Sequence, residues 1–225
     1  MPKKKIKKNN LKIFLKGILD AINVPGFALC STMVGFSVIA KEAGFNIWMV
    51  IATTASVWGL PGQVALAGLY AIGSSLFLIF VAVSLANMRM MLMVVSGADI
   101  LRLHSFKMPL WKRTLLMHFM AITSWAQIGF VQKKYPHPLL LNYYIGFSLT
   151  IFFFGILGTI IGFYLNEIIS PDILRIIIFV TPLYILLLVI NAKQTANRIS
   201  VVIGGTICPL IYPITNNWSI LVSGI

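Results

Sequence analysis

Residues 46–98 read NIWMVIATTASVWGLPGQVALAGLYAIGSSLFLIFVAVSLANMRMMLMVVSGA, and Arg89 is the one charged side chain in the whole stretch. A membrane crossing needs roughly 20 largely apolar residues to traverse a hydrocarbon core about 30 Å thick. The stretch therefore holds two apolar segments, and the first is interrupted by Trp58-Gly59-Leu60-Pro61-Gly62-Gln63. Proline removes a backbone donor and glycine loosens a helix. A discontinuous or kinked element is expected over 46–69, followed by a long helix over 73–98 that carries Asn87 and Arg89.

The same pattern extends outward in both directions. Uncharged stretches recur at 21–40, 114–132, 138–166 and 199–225. The 225-residue chain is 59% hydrophobic, and 18 basic and 5 acidic residues are all its formal charge. Small soluble folds leave a large share of their surface wet, so lipid must be the solvent for most of this chain. The expected fold is all-α: a polytopic transmembrane helical bundle of about seven hydrophobic segments, with one or two broken or re-entrant helices. Its later helices are expected near 141–166, 173–191 and 198–212.

A formal charge of +13 invites a nucleic-acid reading. Yet Lys3, Lys4, Lys5, Lys7, Lys8, Lys12 and Lys16 immediately precede the first apolar stretch. Basic residues at a membrane boundary mark its cytoplasmic side and attract anionic lipid head groups. Residues 1–16 are therefore read as a basic cytoplasmic N-terminal arm and 17–225 as the transmembrane domain, with no nucleic-acid partner. A cleaved signal peptide does not fit, because Asp20, Asn23 and Pro25 interrupt the apolar run and no small-x-small site follows. Cys30 and Cys208 both lie in apolar sequence and read as small buried hydrophobes.

Charge also constrains topology. If every segment crosses once, the basic loop with Arg102, His104, Lys107, Lys112 and Arg113 lies outside, against the positive-inside tendency. If 46–69 and 114–132 are re-entrant or broken, all basic loops fall inside and Glu167 and Asp172 fall outside. Irregular backbone survives at membrane depth only where it is buried in protein or lines a cavity. Both interruptions are therefore candidate parts of a substrate path.

Arg89 is the sharpest single feature, since an arginine at a helix centre costs about 2.5–3.5 kcal/mol on insertion scales. The only acids in the chain are Asp20, Glu42, Asp99, Glu167 and Asp172. A substrate carboxylate would suit the planar guanidinium fork; Asp20, backbone carbonyls or the membrane interface are the alternatives. Pro61-Gly62-Gln63 can open a second half-helix whose amides face an anion, or form an ordinary kink. Asn87 and Arg89 point about 200° apart on a helix, so one can bind substrate while the other holds the helix. Gly155, Gly158 and Gly162 read as close helix packing, and Tyr143, Tyr144, Trp48 and Trp218 as an aromatic belt. His104, His118 and His137 are scattered, with no metal-ligand spacing and no phosphate loop, so neither an enzyme nor a bound cofactor is expected.

Taken in order, Ser56-Val57-Trp58-Gly59-Leu60-Pro61-Gly62-Gln63, Leu85-Ala86-Asn87-Met88-Arg89 and Leu157-Gly158-Thr159-Ile160-Ile161-Gly162 resemble motifs of the AzlC-type branched-chain amino acid exporters. The resemblance runs from about residue 17 to 215. It implies a large permease subunit of a bacterial inner membrane, multi-pass, with its N-terminus in the cytoplasm. It also implies a small hydrophobic AzlD-like partner and an apolar amino acid as substrate. Where that family often shows Thr-Asp-Glu, this chain has Thr123-Ser124-Trp125. Gln63, Asn87, Arg89, Pro61, Gly62 and Thr123 are the expected substrate-binding residues; the alternative is a non-transporting scaffold or degenerate subunit.

Overall fold

The structure is a computed structural model that describes residues 3–165 together with residues 206 and 210; side chains are described from residue 10 onward, except that of Arg89. The helices expected over 173–191 and 198–212, apart from those two residues, and Trp218 lie outside the described residues, as does the Arg89 side chain. Residues 3–165 fall in one compact unit, Met1–Thr181.

All regular structure among the described residues is helical: α1 (Lys3–Ile22), α2 (Val24–Glu42), α3 (Ile47–Val57), α4 (Leu60–Ala71), α5 (Leu76–Ile100), α6 (Leu110–His118), α7 (Ile122–Val131) and α8 (His137–Leu165), with a 3-10 turn at Leu103–Ser105. The boundaries follow local chemistry. Asn46 and Ser75 cap α3 and α5 by accepting the amides of Met49 and Leu78. Asn23 parts α1 from α2, and Pro25 sits in the first turn of α2, where a missing donor is harmless. The lysine-rich arm is thus the front of one helix that continues to Ile22.

Val24–Glu42 and His137–Leu165 are long and apolar enough to cross a membrane. The pair α6 and α7 turns through 103° at its break. Its helices of 9 and 10 residues each reach only about 15 Å, so a pair bent this far does not cross as one rod. These features make the chain a polytopic membrane bundle with broken elements.

α8 is the centre, and α1 and α2 run beside it. A Cβ built on Gly146 would strike the Phe14 carbonyl oxygen, one on Gly158 that of Cys30, and one on Gly162 that of Val34. Backbones therefore touch directly, the device that replaces the hydrophobic effect between helices in lipid. Polar contacts reinforce it. The Ser37 hydroxyl donates to the Thr159 carbonyl at 2.6 Å, and the hydroxyls of Thr159 and Thr54 share a bond of 2.9 Å. At the far end of α2, Lys41 Nζ donates to the Phe163 carbonyl at 3.0 Å.

The aromatic belt is corrected for two of its members. Trp48 is exposed, but Tyr143 and Tyr144 are 0% and 1% exposed. α8 is apolar on every face, so it can bury tyrosines on all sides wherever neighbours supply partners for their hydroxyls.

Candidate functional site

The first break lies between α3 and α4. Trp58 ends α3 in the left-handed region, φ 41° and ψ 36°, and Gly59 reverses to extended backbone before Leu60 and Pro61 start α4. The N-terminal amides of α4 lack helical partners. The Asn87 side chain on α5 answers one of them: Gly62 N donates to Asn87 Oδ1 at 3.2 Å. Any Cβ on Gly59 or Gly62 would collide with that amide. Asn87 thus holds the broken helix from outside and Gly62 makes room for it, so of the pair Asn87 and Arg89, Asn87 is the one that fixes the fold. Asn87→Ala is expected to lower stability by about 1–3 kcal/mol, read as a reduced thermal unfolding midpoint of the purified protein.

Gln63 follows in the first turn of α4. It is fully buried, and neither its Oε1 nor its Nε2 has a partner among the described residues. An unsatisfied buried polar group costs about 1–3 kcal/mol, and such groups are rare enough in folded proteins to call for an explanation.

The second break, within the 114–132 segment expected to be re-entrant or broken, lies at Phe119–Ala121, just before Thr123, Ser124 and Trp125. Thr123 and Ser124 enter the first turns of α7, buried at 7% and 0% exposure, and the hydroxyl of each is unpartnered among the described residues. Trp125 instead turns to α5, its indole N–H donating to Ser96 Oγ at 3.4 Å.

The two breaks adjoin. Trp58 and Phe119 both pack against the ring of Phe152 on α8, at centroid distances of 4.8 and 5.0 Å. His118 Nε2 donates to the Ala55 carbonyl at 2.8 Å, tying the end of α6 to the last turn of α3. α5 braces both breaks, Asn87 at the first and Gly97 at the second, where a Cβ would strike Met120. The structure thus places Pro61, Gly62, Gln63 and Asn87 at one break and Thr123 at the other.

Sequence reasoning passed over three residues. His118 bonds a residue 63 positions away, and nothing local signals it. Asp20 and Tyr143 form a chain: Gln127 Nε2 donates to Tyr143 Oη at 2.8 Å, Tyr143 Oη donates to Asp20 Oδ2 at 2.8 Å, and Lys16 Nζ lies 2.7 Å from Asp20 Oδ1. Hydrogen bonding to the Asp20 carboxylate, followed by its charge, raises the pKa of Lys16 above the ordinary lysine value. Both carboxylate oxygens of Asp20 are therefore engaged by α1 and α8. Tyr143→Phe should leave Gln127 Nε2 without its partner and cost about 1–2 kcal/mol, again read by thermal unfolding.

No group of three or more metal-ligating side chains gathers among the described residues. A 350 Å³ cavity lies elsewhere, between the end of α5 and α6.

Searches of the curated proteins and of the solved structures each returned no match. A family model described as AzlC protein matches residues 26–169. The match is shorter at both ends than the span of motif resemblance, but it covers more than half of the chain and includes both breaks, Asn87 and the glycines of α8. On that match the chain belongs to the AzlC family and is a membrane, transport-related protein.

Proposed function

We propose that the chain is the large subunit of an exporter for branched-chain or similar apolar amino acids, working with a small hydrophobic AzlD-like partner. Its setting is the bacterial inner membrane, with the lysine-rich N-terminus in the cytoplasm. The observation that carries this reading is the meeting of two broken elements, each followed by buried polar atoms with no partner among the described residues: Gln63 after the first, Thr123 and Ser124 after the second. Broken helices with polar groups turned to a solute are how secondary transporters hold it in the bilayer. In this proposal Gln63, Thr123 and Arg89 contact the amino acid backbone, and Pro61, Gly62 and Asn87 shape the first break. The apolar surroundings receive the aliphatic tail, and one methylene discriminates by only about 1–3 kcal/mol, so several branched side chains are accepted.

Cells loaded with isoleucine- or leucine-containing dipeptides provide the test. Deletion of the gene is expected to slow efflux of the liberated amino acid, and re-expression to restore it. Unchanged efflux defeats the proposal. A second reading, a scaffold subunit, is favoured by Ser124 and Trp125 standing where the family often has acids, because intramembrane carboxylates commonly serve proton relays. A scaffold would co-purify with a partner and gain no thermal stability from any amino acid.

A further inference from the structure

We infer that the cavity between the end of α5 and α6 is a binding site for a zwitterion carrying a primary ammonium and an anionic group. The cavity has a volume of 350 Å³, within the range of small-ligand pockets, roughly 300–1,000 Å³. Asp99 and Arg113 both line it, together with His104 and Thr114, over an apolar floor that includes Leu103 and Met117. A carboxylate and a guanidinium in one cavity would ordinarily close on each other. Here Lys16–Asp20 is the ion pair found among the described residues, so Asp99 and Arg113 stand farther apart than ion-pair distance.

The guanidinium is also fixed in place. Arg113 Nη2 donates to the Phe106 carbonyl at 2.9 Å, which orients the fork. Its Nε is buried and unpartnered among the described residues. Asp99 is exposed at the last turn of α5. An oriented donor and a carboxylate with no ion-pair partner among the described residues, lining one cavity, suit a ligand that presents an anion to Arg113 and an N–H-bearing cation to Asp99.

Two sources share that chemistry: a free amino acid, and the headgroup of phosphatidylethanolamine. The first rests on the transport proposal and would make the cavity a loading site distinct from the breaks; the second does not depend on it. A phosphatidylcholine headgroup lacks the ammonium N–H and is the negative control.

The test is equilibrium binding and thermal stabilisation of the purified, delipidated full chain with L-leucine, short-chain phosphatidylethanolamine and short-chain phosphatidylcholine. At least one of the first two is expected to bind and the third not. Asp99→Asn should weaken that binding by roughly ten- to a hundredfold. Arg113→Lys, which keeps the charge and loses the fork, should weaken it as well. Leucine binding alone assigns the amino acid, phosphatidylethanolamine binding alone assigns the lipid, and binding of both leaves the shared chemistry as the site's specificity. Binding of neither, or binding untouched by Asp99→Asn, overturns the inference. Gln63, which does not line this cavity, serves as the control: Gln63→Ala is expected to lower efflux without changing binding here. Failure of the exporter reading therefore shows in the efflux assay, and failure of the cavity in the binding assay.

Discussion

A valine in place of Gly158 is expected to lower the unfolding midpoint of the purified protein by roughly 2–12 °C. A side chain at this position meets main chain on the facing helix, the carbonyl oxygen and Cα of Cys30, and main chain cannot rotate aside. α2 and α8 must then separate where lipid offers no hydrophobic force to hold them together. Overpacking of a close-packed interior costs about 1–3 kcal/mol, and for a chain of this length each kcal/mol shifts the midpoint by about 2–4 °C. The bonds beside the contact weaken in turn, because Ser37 reaches the Thr159 carbonyl only while the helices are in register. Gly68→Ala is the control. Nothing lies within 4 Å of a Cβ built there, and alanine is the better helix former by about 1 kcal/mol, so the midpoint should hold or rise. A Gly158→Val protein as stable as the parent would mean that the α2 and α8 backbones do not touch.

What could be read from the sequence divides along the range of the forces involved. The first break was legible because its signal is local: Pro61 supplies no donor, although the left-handed residue is Trp58 and Gly59 and Gly62 serve to admit the Asn87 side chain. The small-residue spacing of Gly158 and Gly162 likewise announced a close helix contact, and the structure supplies its partner, α2. The second break was legible only in outline. The sequence marked 114–132 as a segment that could break, and the chain bends within it at Phe119–Ala121, which holds neither proline nor glycine. Its position is set by distant partners: Phe152 under Phe119, Gly97 under Met120, and the Ala55 carbonyl at His118. Tyr143 was misread for the same reason. Its sequence neighbours place it near a helix end, but Asp20 on α1 and Gln127 on α7 make it a buried connector. Asn87 stood out as a polar residue at helix depth, while its task, accepting the Gly62 amide, depends on a contact across 25 residues.

The bracing by α5 bears on how the proposed transport cycle would work. One helix holds the first break through Asn87 and the second through Ser96 and Gly97. α5 itself bends by 46° between Leu76–Met88, which carries Asn87, and Met90–Ile100, which carries Ser96 and Gly97, and the contacts of Trp58 and Phe119 with Phe152 tie each break to α8. In the proposed cycle each part of α5 would move with its own break, in keeping with the rocking of one bundle against another in transporters. Loss of Asn87 should release the first break from α5, so Asn87→Ala is expected to slow efflux beyond what its loss of stability explains.

Arg89→Ala is expected to reduce efflux of branched-chain amino acids to the level of cells lacking the gene, with the amount of protein in the membrane unchanged. Arg89 lies on α5 two residues from Asn87, the residue that accepts the Gly62 amide. Asp20, the acid weighed as an alternative partner for Arg89, has both oxygens engaged by Lys16 and Tyr143. In the proposed function a substrate carboxylate would partner Arg89, and a bidentate pair is the geometry its fork prefers. Arg89→Lys discriminates further, since it keeps the charge and loses the fork: efflux is expected to fall by tenfold or more, in keeping with a charge-assisted bond worth about 1.5–3 kcal/mol. Efflux measured beside quantitative immunoblots of the membrane fraction separates the two causes. Full export by Arg89→Ala removes this side chain from the substrate path, and loss of the protein from the membrane assigns it to folding instead.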